Sequence, residues 1–209
     1  MQYLSQRLAA ELARAPEEDR PLGLLAADQR ERLLAATEKL IAERGAPATT
    51  IEAIVKEAGV SSVTFYEHFR NKEECFVAAF DRAVEGLRAA LAEAVPAEGT
   101  WASRAQTGIA ALLAALDAEP ARARLVFVEA QKGGPRLRAR YDEALGAAAG
   151  ELADPLGEAI AGGLAWLLRE RLELGGGEDV RDLLPRMTEV VLGPYLGDGE
   201  PASGASGDG

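Results

Sequence analysis

The sequence predicts an all-α protein, with a small N-terminal helix-turn-helix unit ahead of a larger helical bundle. Ala, Leu and Glu are the commonest of the 209 residues and Arg is abundant, and all four are strong helix formers. Aromatic residues make up only 5% and β-branched runs are scarce, which leaves little from which to build a sheet. Gly and Pro punctuate the junctions between stretches of helical periodicity.

Residues 1–27 read as an extension. Leu4, Leu8 and Leu12 are four apart, which suits either a short amphipathic helix or a frayed arm, closed by Pro16 and Pro21. The first helix is expected over Asp28–Arg44, with Asp28 and Glu31 as a capping box and Gly45 as its stop. A second is expected over Thr50–Ala58, with Thr49 and Glu52 as its capping box. A third covers Ser62–Phe69 behind the N-cap Ser61, and a fourth runs from Asn71 to Val95. Further helices read as Trp101–Asp117, Ala121–Lys132, Pro135–Ala153, Pro155–Leu174 and Asp179–Leu196. The tail 198–209 has no apolar content to bury and is expected to stay disordered.

Composition excludes several functions. One cysteine, Cys75, allows no internal disulfide and no cysteine-rich metal site, and suits a reducing cytoplasm. It reads as a small core residue, with a redox switch as the alternative. The N-terminus has no apolar stretch of signal-peptide length, and no run approaches a membrane span. No metal, cofactor or catalytic constellation stands out, and the only histidine, His68, has no ligand partners nearby in sequence. Net charge is −11, which taken alone argues against nucleic acid. Yet residues 1–72 carry ten Lys/Arg against eleven Asp/Glu, so the acid is concentrated in the C-terminal part.

Residues 49–72 read TTIEAIVKEAGVSSVTFYEHFRNK. A short apolar helix, a three-residue turn with Gly59 and a second short helix are the parts of a helix-turn-helix. Ile51, Ile54 and Val55 give the second helix its core face. Phe65 and Phe69, four apart, would anchor the third. Ser61, Ser62, Val63, Thr64 and Tyr66 would then project outward, where short side chains let a helix lie deep in a DNA major groove. Tyr66, His68 and Lys72 could donate to phosphates from the rim; His68 reads equally as a surface residue and Lys72 as a helix-start lysine.

The run from Ile54 through GVS, TFYEHF and NKEE resembles the DNA-binding domain of the TetR/AcrR family of transcriptional regulators, over about residues 28–76. The resemblance implies a groove-facing helix on Ser61–Phe69, with phosphate contacts at Thr49 or Thr50, Tyr66, His68 and Lys72. Three positions depart from the family pattern. Val55 stands where Ala is frequent, and Ser62 and Val63 stand in place of a basic and a small residue. Glu67, for its part, would repel phosphates unless it faces a cytosine amino group or Arg70.

The resemblance further implies that residues 77–197 bind a ligand and dimerise. Two apolar stripes are expected at the homodimer interface: Leu156, Ile160, Gly163, Leu164 and Leu167, then Leu183, Met187, Val190 and Val191. The alternative is that they serve the internal core. Trp101, Phe127, Gln131, Tyr141 and Trp166 are candidates for the pocket lining. The basic stretch 122–140 is either a solvated face or a lure for an anionic effector. The expected function is a ligand-responsive regulator, a repressor released from palindromic double-stranded operator DNA by a small-molecule effector. A small-molecule-binding bundle that no longer reads DNA is the alternative, and a helical enzyme is disfavoured.

Overall fold

The computed structural model describes residues 22–151, 156–174 and 179–196. All regular elements among them are helical. They are α1 (Leu22–Arg44), α2 (Ile51–Ala58), α3 (Ser62–His68), α4 (Lys72–Ala94), α5 (Trp101–Ala118) and α6 (Pro120–Arg124). A π-helical turn (Leu125–Glu129), α7 (Pro135–Glu151), α8 (Gly157–Leu174), a 3-10 turn (Val180–Leu183) and α9 (Leu184–Leu196) follow. The Leu4–Leu12 spacing, the 198–209 tail and the junctions at 152–155 and 175–178 lie outside the described residues.

The first three helices form a small unit around buried side chains from each. Leu33, Leu34, Leu40 and Ile41 come from α1, Ile54 from α2, and Phe65 with Phe69 from α3 and its end. Thr37 is also buried; its hydroxyl donates to the Leu33 carbonyl (2.7 Å) and lies 3.3 Å from the Cys75 thiol. Cys75 is therefore a core residue, and burial pushes its thiol up to about 11. That chemistry leaves a thiol, not a thiolate, at neutral pH.

Two glycines close the small unit's turns. Gly45 has φ +81° and donates to the Ile41 carbonyl, ending α1. Gly59 has φ +66°; its N–H donates to Lys56 and that of Val60 to Val55, a Schellman closure of α2.

Four expectations are corrected. α1 begins at Leu22, because Leu-Gly-Leu-Leu-Ala-Ala continues the helix upstream; Asp28 is interior to it and pairs with Arg32 at 3.8 Å. The N-cap of α2 is Thr50, whose hydroxyl accepts from the Ala53 N–H; Thr49 instead donates to the Gly45 carbonyl. The helix expected over 121–132 divides into α6 and a π turn, in which Ala130 N–H reaches back to the Leu125 carbonyl. Asp179 caps the 3-10 turn, and α9 starts only at Leu184.

α4 is the spine shared by both parts. Its start is capped by Asn71 and packs Phe76 into the small unit, while Phe80 meets Tyr141 of α7 with ring centroids 6.5 Å apart. Glu38 of α1 is buried at this junction. Burial pushes its carboxyl up, opposed by Arg82 of α4 (2.8 Å) and Arg122 of α6 (3.3 Å). Removing either arginine would leave a poorly compensated buried charge.

Phe65→Ala should cost about 3–5 kcal/mol, the range for emptying a fully buried aromatic site. Val63→Ala, two residues away on the exposed flank, should stay within about 0.5 kcal/mol. Urea denaturation of the two variants checks the contrast; equal losses would contradict this packing.

Candidate nucleic-acid interface and ligand cavity

Anchoring by Phe65 and Phe69 decides which flank of α3 is free. Phe65 is 0% and Phe69 3% exposed, whereas Val63 is 71% and Tyr66 58% exposed. Ser61, Ser62 and Glu67 are also exposed and Thr64 is half-buried. Ser61 caps α3 by accepting from Thr64 N–H, and its hydroxyl also pairs with that of Thr64 at 3.0 Å. The outer surface of the helix therefore offers Ser62, Val63 and Tyr66 as side chains without such local ties. A valine methyl suits a thymine methyl, and a tyrosine hydroxyl suits a phosphate or base edge.

Other sequence candidates are engaged inside the unit. Thr49 is fully buried, so its side chain is no contact for DNA in this conformation; the exposed Thr50 stands nearer the surface, its hydroxyl capping α2. Lys72 Nζ donates to the Thr49 carbonyl (2.9 Å) and sits 5.3 Å from the Phe76 ring centroid, pinning the α1–α2 loop to α4. His68 is half-buried with its Nε2 enclosed and lacking a hydrogen-bond partner. Sequence reasoning missed Arg32, which donates from α1 to the Gly59 carbonyl at the turn (3.0 Å). Nothing in the local pattern marks that contact, because it joins residues 27 apart.

The second site is a cavity of about 550 Å³ bounded by α4, α5, the π turn, α7, α8 and α9. Leu87, Leu91, Ile109, Leu112, Leu145 and Leu168 give it apolar walls, and Arg88, Arg104 and Glu151 are the charged residues on its lining. Arg88 pairs with Glu151 at 3.3 Å. Trp101, Phe127 and Tyr141 line the cavity as the sequence suggests. Gln131 does not; it hydrogen-bonds Tyr141 from behind and accepts from Arg169 (2.9 Å). Burial raises the Tyr141 hydroxyl against that hydrogen bond. Trp166 also lies elsewhere, 49% exposed beneath the Arg186 guanidinium.

The expected dimer stripes turn out to be largely internal. Ile160, Leu167, Leu183, Met187 and Val191 are buried within the chain, and Leu164 and Val191 line the cavity. A Cβ on Gly163 would lie 3.6 Å from Val190, so this glycine brings α8 close to α9 of the same chain. Of the named positions only Leu156 is a large exposed hydrophobic, at 45%. Amphipathic spacing marks a buried face but not which molecule buries it. The apolar residues that α8 and α9 do expose include Trp166, Leu174 and Leu184.

The architecture is a helix-turn-helix unit joined by one long helix, α4, to a cavity-bearing helical bundle. Residues 33–79 match the family described as bacterial regulatory proteins, tetR family, and the helix-turn-helix domain is of that family. The transcriptional regulator YerO of Bacillus subtilis, described as uncharacterized, is 38% identical over 52 residues, covering 25% of this chain and 18% of its own. The transcriptional activator FasR of Mycolicibacterium smegmatis is 26% identical over 113 residues, covering 54% of this chain and 52% of its own. The chain thus spans about half or less of the length of these curated relatives. In fold it resembles the regulator FadR of Bacillus subtilis, solved in complex with stearoyl-CoA. Their TM-score is 0.66 at 18% identity, covering 77% of this chain and 96% of that one. Among the described residues no helix is long and apolar enough to cross a membrane, and no group of His, Cys, Asp or Glu could hold a metal ion.

Proposed function

We propose that this chain is a DNA-binding transcriptional regulator that acts as a homodimer and is released from its operator by an elongated, largely apolar effector with an anionic head. The observation that carries the DNA half is the outward flank of α3, with Val63 and Tyr66 exposed while Phe65 and Phe69 are buried. One such short helix supplies too few contacts for a specific site. Two, held about 34–36 Å apart, would read successive major-groove faces of a palindrome. The exposed apolar residues of α8 and α9, Trp166 and Leu184 among them, are the surface proposed to pair the two copies.

The effector class rests on the cavity. Apolar walls suit an acyl chain, and Arg104, together with Arg88 and its partner Glu151, gives the lining cations that suit a carboxylate or phosphate. The likeness to a protein solved with stearoyl-CoA supports this reading. A ligand that prefers a dimer with wrongly spaced recognition helices lowers operator affinity by population shift alone.

Two measurements test the proposal. Operator affinity should fall about 10³–10⁵-fold between 50 and 200 mM salt if the dimer neutralises six to ten phosphates. Affinity indifferent to salt would leave a ligand-binding bundle that does not read DNA. In a series of saturated acyl-CoA thioesters, each added pair of methylenes should tighten binding about fifteenfold until the cavity is full. Affinity independent of chain length would exclude an acyl-type effector.

A further inference from the structure

We propose that Glu129 is the link between the ligand cavity and the helix-turn-helix: a buried carboxylate through which the packing of Phe127 is read by the α1–α2 loop. The link serves the regulator reading above, but neither DNA nor ligand enters its test.

Glu129 ends the π turn and is only 4% exposed. Two residues earlier in the same turn, Phe127 lines the cavity, as does Val126. In the other direction, Glu129 Oε2 accepts from the Ala46 N–H of the α1–α2 loop at 3.0 Å, across 83 residues. The approach is close enough that a Cβ on Gly45 would lie 3.1 Å from the same oxygen. The second oxygen, Oε1, faces Lys132 Nζ (3.4 Å) and the Arg124 guanidinium (3.9 Å). Lys132 also pairs with Glu173 (2.8 Å) and Arg124 donates to the Leu172 carbonyl (3.0 Å), so both cations are held by the end of α8.

The loop that receives this carboxylate sets the helix-turn-helix. Ala46 carbonyl accepts from Thr49 N–H, Gly45 carbonyl from the Thr49 hydroxyl, and Thr49 carbonyl from Lys72. Thr50 then caps α2. Ala46 N–H is the point in this chain of bonds that the large domain holds by a hydrogen bond. A buried donor stripped of its acceptor is costly, so the loop follows the carboxylate rather than letting it go. A π turn is a suitable mover, since its register differs from that of the α-helix before it and such turns occur often at functional sites. A side chain displaced at Phe127 would shift the turn, then Glu129, then Ala46 and the start of α2.

Hydrogen–deuterium exchange on the full chain tests this directly. Phe127→Ala perturbs the cavity wall. It should speed exchange over residues 45–58 by roughly two- to thirtyfold, the range that residues along a coupled network command. In a Glu129→Leu background, the same change should add less than about 1.5-fold, because the link is already broken. Glu129→Gln keeps an acceptor for Ala46 and should preserve the response. If Phe127→Ala proves too destabilising, Phe127→Leu makes the same comparison with a smaller cavity. No change over 45–58, or equal changes with Glu129 and with Leu in its place, would overturn the proposal. Either outcome would leave the regulator reading standing, since that depends on operator binding.

Discussion

The structure depends on two phenyl rings facing inward. Phe65 and Phe69 fill the centre of the small unit, 5.6 Å apart, with Phe65 against the edge of Tyr66. A seven-residue helix has too few internal hydrogen bonds to persist alone. Its orientation therefore comes from these anchors, the Ser61 cap and the Schellman closure at Gly59. Once they are in place, the opposite flank stays exposed among the described residues. The same constraint that makes the unit fold thus presents Ser62, Val63 and Tyr66 outward.

Much of this was legible in the sequence, because it is written in local signals. A helix stop, a cap and a pair of rings four residues apart act over short spans, and all were in place at Gly45, Gly59, Ser61 and Phe65 with Phe69. What was not legible depends on residues far apart in the chain. Thr49 and Thr50 are adjacent and chemically alike. Only the packing of the α1–α2 loop against α4, through Lys72, sends one inward and leaves the other as the cap. The two apolar stripes of α8 and α9 are ambiguous for a related reason. Their periodicity marks a buried face, and in the chain the cavity and its own core take much of that face. Trp166, named for a pocket, instead belongs to the exposed face left over.

The large domain holds few polar side chains toward its cavity, and the charge it buries is gathered where the two domains meet. Glu38 with Arg82 and Arg122, and Glu129 with Ala46, tie α1 and its following loop to α4, α6 and the π turn. Buried charge is a weak source of stability, since desolvation offsets most of the attraction. It is a good source of register, because a carboxylate held by fixed donors admits few alternative positions. On the proposed function, that property matters more at the junction than in the core.

The most direct measurement is selection of the full-length protein on a pool of random duplex DNA. If the proposed homodimer presents two such α3 helices to DNA, the selection enriches a single palindrome, its half-sites centred about 10–10.5 base pairs apart or a multiple of that spacing. Enrichment of no sequence, or of one without two-fold symmetry, would contradict a pair of outward-facing α3 helices reading DNA.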